Sequence, residues 1–130
     1  MKEITVVAKD DVGVLADVAE TLGSVGVNIE AISAYGVEGK AVFRIITSDV
    51  TTTMRALSRL PDIKVTESDT IIYRMNNKPG ELGKITRRLA NKGVSLESLY
   101  IVSRKQDFTE VAIKTPAKDI EKTKEILGMK

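Results

Sequence analysis

The sequence of 130 residues contains no cysteine, no histidine and no tryptophan, and only three tyrosines and two phenylalanines. Without cysteine there is no disulfide, no zinc thiolate site and no iron–sulfur cluster. Without histidine the most common general base and transition-metal ligand is missing. The carboxylates do not cluster at the loop spacing that a hard cation needs. We therefore expect no catalytic residues, no metal site and no cofactor, and interpret the protein as a non-enzyme.

Long hydrophobic runs are also missing, since no apolar stretch approaches the roughly 20 residues of a membrane-spanning helix. The first residues, Met1-Lys2-Glu3, lead directly into an alternating segment and do not resemble a secretory signal. The apolar fraction of 42% and the charged fraction of 29% are typical of a globular chain. These features predict a cytoplasmic protein without membrane contact.

The chain repeats itself. Shifting the sequence by 67 residues aligns about 30 positions without a gap, and at ten or more of them the paired residues are identical or exchange one apolar side chain for another. Examples are Gly13 with Gly80, Leu15 with Leu82, Gly26 with Gly93, and Glu30 with Glu97. The repeat predicts two domains, residues 1–67 and 68–130.

Each copy shows the same order of patterns. In the first, residues 4–8 alternate as a strand, and the next apolar residues recur at helical spacing until Gly23 and Gly26. The first copy continues with predicted strands over 27–35 and 41–47, a helix capped by Ser48-Asp49, and a short strand over 63–66. The second copy ends with a helix opened by Thr115-Pro116, too close to the end for another strand. We predict an α+β fold of two ferredoxin-like βαββαβ units, with antiparallel sheets and helices on one face, the second unit lacking its last strand.

Charge is divided unevenly between the copies. Residues 1–67 carry seven basic and ten acidic side chains, a net charge of −3, whereas residues 68–130 carry thirteen and eight, a net charge of +5. The first helix of the first copy contains Asp17 and Glu20, while its counterpart contains Lys84, Arg87 and Arg88. The pattern is consistent with a solvated helix face or with attraction between the unlike halves.

The break between strand and helix carries the strongest chemical signal. It runs from Asp10 to Leu15 and again from Asn77 to Leu82. The free N–H groups at a helix N-terminus suit a carboxylate, and neighbouring Asp or Asn side chains can accept hydrogen bonds from an ammonium group. An α-amino acid zwitterion needs this pairing. Alternatively, the glycines only permit tight packing and the Asp and Asn side chains only cap the helices.

These breaks, followed by Gly26-Val27-Asn28-Ile29 and Gly93-Val94-Ser95-Leu96, resemble the ACT domain over almost the whole chain, twice. The resemblance implies a regulatory protein that senses an amino acid in pockets where two ACT units meet. The ligand-binding residues that it implies are Asp10, Asp11, Val12, Gly13, Val14, Leu15, Asn28, Ile29, Asn77, Lys78, Pro79, Gly80, Glu81, Leu82 and Ser95.

The sequence departs from the family pattern at three of these positions. Val12 stands where the family has proline, Asn77 replaces the aspartate and loses its charge, and Ser95 replaces the asparagine of the second strand. We expect the second unit to have a weaker site or only a packing role. The small units and the open sheet edge of the second unit predict a homodimer or larger assembly. Because this chain shows neither a catalytic nor a DNA-binding segment, we expect any regulation of an enzyme to occur in trans.

Two other classes of function compete with this interpretation. An RNA-binding module shares the βαββαβ order, but it needs stacking aromatics on its central strands, and each copy has one there, so nucleic acid is a disfavoured partner. A structural or assembly module without a ligand remains the other alternative.

Overall fold

The alternating apolar residues of the sequence form the sheets of two units. The structure, a computed structural model, describes residues 1–129. The strands are β1 (Lys2–Lys9), β2 (Ala31–Val37), β3 (Lys40–Ile46), β4 (Ile63–Asp69), β5 (Ile71–Asn76), β6 (Ser98–Arg104) and β7 (Phe108–Lys114). The helices are α1 (Val14–Ser24), α2 (Val50–Leu57), α3 (Glu81–Asn91) and α4 (Ile120–Ile126), the last preceded by a 3₁₀ turn at Ala117–Asp119.

The first unit spans Lys2–Ser68 and has a four-stranded sheet in the order β2-β3-β1-β4. β3 pairs antiparallel with both β1 and β2. Ile4 and Val6 of β1 point to the buried side, where they pack with Leu22 of α1 and Leu57 of α2. Both helices therefore cover the same face of the sheet, as the ferredoxin-like pattern predicts.

The second unit begins at Asp69, and Met1 also belongs to it. Its sheet has three strands in the order β5-β7-β6, again with β7 antiparallel to both neighbours. Leu89 of α3 packs with Val111 and Ile113 of β7 in a separate core. Within residues 1–129 no strand follows α4, so the prediction of a βαββα unit without its last strand is confirmed.

The second strand of each unit begins later than predicted. The prediction of a strand from Val27 was wrong, because Val27–Glu30 forms an irregular connection and β2 starts at Ala31. Val27 is buried and its N–H donates to the carbonyl of Leu22, so it closes the end of α1 instead of pairing in the sheet. The corresponding prediction from Val94 was wrong for the same reason, since Val94 N–H donates to Leu89.

The turns and caps follow local chemistry. The first hairpin turns at Glu38 and Gly39, which both have positive φ angles, as a two-residue turn of type I′ requires. The Asp49 carboxylate accepts a hydrogen bond of 3.0 Å from Thr52 N–H, so the predicted cap of α2 is confirmed. Pro116 is not the first helical residue as predicted, but lies just before the 3₁₀ turn. Among the described residues, no helix is long and apolar enough to cross a membrane.

Candidate ligand-binding site

The turn between β1 and α1 takes its shape from a glycine. Gly13 lies in the left-handed region, with φ at 90°, and α1 starts directly after it. A Cβ built on Gly13 meets no atom within 4 Å, so the backbone angle and not tight packing explains the glycine. No side chain caps α1, which rules out a capping role for Asp10 and Asp11 in this structure. Val14 N–H donates to the carbonyl of Asp11 at 3.3 Å. The next N–H groups of the helix, those of Leu15 and Ala16, are open to another acceptor.

A cleft of about 520 Å³ opens between this turn, α1 and the edge strand β2. This volume lies in the range of small-molecule sites. The cleft exists because small side chains line both walls, with Ala16 and Ala19 on α1 and Ala34 on β2. Its lining residues are Asp10, Asp11, Gly13, Val14, Leu15, Ala16, Ala19, Ala34, Tyr35, Ala41 and Phe43.

Asp10 and Asp11 are the charged residues among those that line the cleft. Neither side chain has a hydrogen-bond or ion-pair partner in the described part of the chain. The Asp10 carboxylate lies beside Gly36 of β2, where a Cβ would come within 2.6 Å of its Oδ2 atom. Gly36 thus leaves room for this carboxylate at the mouth of the cleft. Two free acceptors and the positive end of α1 therefore meet in one place.

The structure separates the remaining first-unit candidates from this cleft. Val12 is fully exposed at the tip of the turn. Asn28 is exposed and Ile29 packs against the core, in the connection that precedes β2. That connection lies at the end of the sheet where Ala31 pairs with Ile46, whereas Asp10 follows the opposite end. Asn28 and Asp10 of one unit therefore do not meet.

The corresponding turn in the second unit has the same backbone but different side-chain contacts. Gly80 also lies in the left-handed region, with φ at 86°, and α3 likewise has no side-chain cap. Asn77 Nδ2 donates a 2.9 Å hydrogen bond to the carbonyl of Lys105, and Asn77 Oδ1 accepts one of 3.2 Å from Thr109 Oγ1. Asn77, the counterpart of Asp10, thus holds the turn between β6 and β7.

The N-terminus of α3 already carries a carboxylate. Glu81 is its first residue, in the position of Val14 in the first unit, and its Oε1 atom lies 3.2 Å from Lys84 Nζ. This carboxylate is therefore paired with a cation of its own helix. Lys78, Pro79 and Leu82 are exposed around the turn, and Ser95 is exposed in the connection before β6. Among residues 1–129 no cluster of potential metal ligands occurs in either unit.

Comparison with protein families explains the repeated architecture. A family model for the ACT domain matches residues 2–66 and 70–128. The chain belongs to the ACT domain family. The resemblance deduced from the sequence is therefore confirmed for both units. Comparison with curated proteins gave no match.

Several solved structures share this tandem ACT fold. Protein BT0572 from Bacteroides thetaiotaomicron is 25% identical, with a TM-score of 0.84, and the match covers 98% of this chain and 85% of that one. The ligand-free regulatory subunit of aspartate kinase from Thermus thermophilus is 16% identical, with a TM-score of 0.68 and coverage of 98% and 90%. The same subunit from Thermus flavus is 16% identical, with a TM-score of 0.65 and the same coverage.

Sequence reasoning missed the walls of the cleft in the first ACT unit. Ala16 and Ala19 lie on α1, just after the predicted loop. Ala34 and Ala41 lie on the neighbouring strands β2 and β3 of the sheet. The signal was present, because small residues at these positions leave a helix and a strand edge without large side chains between them. It could be interpreted only once the pairing of β2 with β3 was known.

Proposed function

We propose that the first ACT unit binds an α-amino acid in the cleft between α1 and β2, and that the protein acts as a regulator and not as an enzyme. One observation carries the proposal. The cleft combines open N–H groups at the start of α1 with the two unpaired carboxylates of Asp10 and Asp11. A zwitterion presents one carboxylate and one ammonium group, and these two sets of protein groups complement it.

In the proposed complex, the ligand carboxylate accepts hydrogen bonds from backbone N–H groups in the first turn of α1. The ammonium group donates to Asp10 or Asp11. The Asn28 side chain takes part only if it comes from a second copy of the chain, because it lies at the far end of its own sheet. Its participation would couple ligand binding to self-association.

Self-association is supported by the exposed edge of the first unit. β2 is an edge strand, and three of its apolar side chains, Ile32, Tyr35 and Val37, are more than two-fifths exposed. An uncovered apolar edge strand favours pairing with another chain. We propose a homodimer or larger assembly, located in the cytoplasm, whose association with itself or with an enzyme changes with the ligand. The fold is also that of the regulatory subunit of aspartate kinase from Thermus thermophilus.

The direct test is a thermal-shift screen of the full chain against the amino acids. A ligand present at about 100 times its dissociation constant adds about 2.7 kcal/mol to the free energy of unfolding. Such a shift with at least one amino acid supports the proposal. The absence of a shift with all of them favours the alternative of an assembly module without a ligand.

The variants Gly13→Val and Gly80→Val form a matched pair for this screen. Both glycines have φ near 90°, so each substitution costs about 1–3 kcal/mol of backbone strain in its own unit. Only Gly13→Val places a side chain beside the cleft, and we expect it to abolish the ligand-induced shift. Gly80→Val should retain the shift. Equal loss in both variants would place the ligand elsewhere.

Sedimentation tests the self-association. We expect the wild-type chain to sediment as a dimer or larger species at micromolar concentration, and Ile32→Asp to shift the distribution towards the monomer. A wild-type chain that sediments as a monomer with and without ligand would contradict this part of the proposal.

A further inference from the structure

The walls of the first-unit cleft define the side chain of its ligand. We infer that the cleft selects an amino acid with an apolar side chain, an inference that rests on the proposed function of the same site. Beyond Asp10 and Asp11 at the mouth, the lining consists of glycine, alanine, valine, leucine, phenylalanine and tyrosine. Phe43 is almost fully buried and forms part of the floor between the two walls.

Charge excludes acidic ligands. No basic residue lines the cleft, so a side-chain carboxylate would find no cation there. It would instead lie near Asp10 and Asp11, whose unpaired negative charges repel it. Aspartate and glutamate therefore fit the backbone groups of the site but not its walls.

Basic ligands are disfavoured for a different reason. Ala19, Ala34 and Ala41 offer no acceptor to a side-chain ammonium or guanidinium group inside the cleft. Burying such a charge without a partner is costly. The tyrosine hydroxyl does not compensate, because it accepts a hydrogen bond of 3.3 Å from Arg44 Nε, and the positive charge of Arg44 repels a second cation there. Apolar side chains, in contrast, gain free energy by covering alanine and phenylalanine surface.

The alanines set the space available to the ligand. Ala19 lies on α1, and the residue 67 positions later is Thr86 of α3, whose hydroxyl donates to the carbonyl of Leu82 in its own helix. The pair Ala19→Leu and Thr86→Leu therefore places the same new side chain at matching positions of the two units. Only the first of these variants fills the cleft.

Calorimetric titration of the full chain tests the inference by comparing dissociation constants for two sets of amino acids. The apolar set is leucine, isoleucine, valine, methionine and phenylalanine, and the charged set is aspartate, glutamate, lysine and arginine. We expect at least one apolar amino acid to bind at least tenfold more tightly than any charged one. Ala19→Leu should weaken that binding at least tenfold, while Thr86→Leu leaves it unchanged. Ala34→Val, on the opposite wall, provides a second cleft variant should Ala19→Leu unfold.

The outcomes separate the inference from the proposed function. Preferential binding of an acidic or basic amino acid would overturn the inference and leave the proposed function standing. Binding that survives both cleft variants would also overturn it, because the side chain then lies outside these walls. If no amino acid binds, both the inference and the proposed function fail.

Discussion

The two ACT units share one type of turn, but its side chains make different contacts in each. In each, a glycine with φ near 90° connects the first strand to the first helix, and no side chain caps that helix. In the first unit, the Asp10 side chain has no hydrogen-bond partner among the described residues and lies at the mouth of a cleft. In the second, the Asn77 side chain binds the β6–β7 turn, and the Glu81 carboxylate is paired with Lys84.

The difference shows which part of a repeated motif belongs to the fold and which to the site. The glycine is common to both units because the backbone angle is needed for the turn itself. The residue three positions before it differs, because the Asn77 side chain is hydrogen-bonded to the β6–β7 turn and to Thr109, whereas the Asp10 side chain has no such partner among the described residues. A duplicated unit can thus keep its fold while the side chains beside the shared turn diverge.

The largest expected effects test whether the two cores are equivalent. Leu22 and Leu89 occupy matching positions in α1 and α3, and both are completely buried. Leu22→Ala and Leu89→Ala should each lower the free energy of unfolding by about 2–5 kcal/mol, because each leaves a cavity in its own core. Denaturant titration measures the loss of stability in each variant, and amide hydrogen exchange shows which unit is destabilised. A loss below 1 kcal/mol in either variant would show that the cores are not equivalent.

A smaller change in stability should distinguish the turn after β1 from the turn after β5. Asn77→Ala removes both hydrogen bonds of the side chain and leaves the buried Thr109 hydroxyl without its acceptor, so we expect a loss of about 1–3 kcal/mol in stability. Asp10→Ala should change stability by less than about 0.5 kcal/mol, since no such bond is lost. The same variant should weaken amino acid binding by about 10- to 100-fold, through loss of a charged hydrogen bond.

Thermal unfolding and calorimetry of these two variants provide a crossed test. Asn77→Ala should bind the ligand as the wild type does, and Asp10→Ala should unfold as the wild type does. If Asn77→Ala loses binding, the second unit also contributes a ligand site, and the proposed division of roles is wrong.

The smallest effect concerns the second helix of each unit. Hydrogen bonding from the Thr52 backbone N–H holds the pKa of Asp49 below its usual range, whereas α4 has no side-chain cap. Because the pKa is lowered on folding, the contribution of Asp49 to stability is present above the unfolded pKa. It is lost as the pH falls through the folded pKa, which lies below the ordinary value of an aspartate.

Asp49→Ala should therefore lower the stability of the first unit at pH 7, and the difference from the wild type should shrink towards pH 3. Denaturant titrations at the two pH values measure it. The matching substitution before α4, Asp119→Ala, serves as the control, because the Asp119 side chain does not cap that helix. An Asp49 effect that is independent of pH would contradict the electrostatic explanation.

Much of the fold followed from local patterns. Three predicted features correspond to observed elements: the alternation at Ile4 and Val6, the helical spacing of Val18 and Leu22, and the Asp49 cap. The start of the second strand did not follow, because Val27 has the composition of a strand but is buried at the end of α1. Tertiary packing thus overrode the β propensity of one short segment.

The candidate site was only partly accessible to the same reasoning. The turn at Asp10 and Gly13 stood out because a helix N-terminus and acidic side chains are adjacent in sequence. The alanines of the cleft did not, since their role depends on the distance between α1 and β2. The grouping of Asn28 with Asp10 rested on the family resemblance, and within one unit the pairing of strands separates them.

The sequence by itself determined the duplication and the βαββα order shared by both units. These depend on residues close together in the chain, through periodicity and backbone sterics. The tertiary structure alone decided that one turn opens onto a cleft while the other is tied to a hairpin. That distinction depends on whether a side chain meets a partner from a distant strand, as Asn77 meets Thr109 and Asp10 meets none in the described chain.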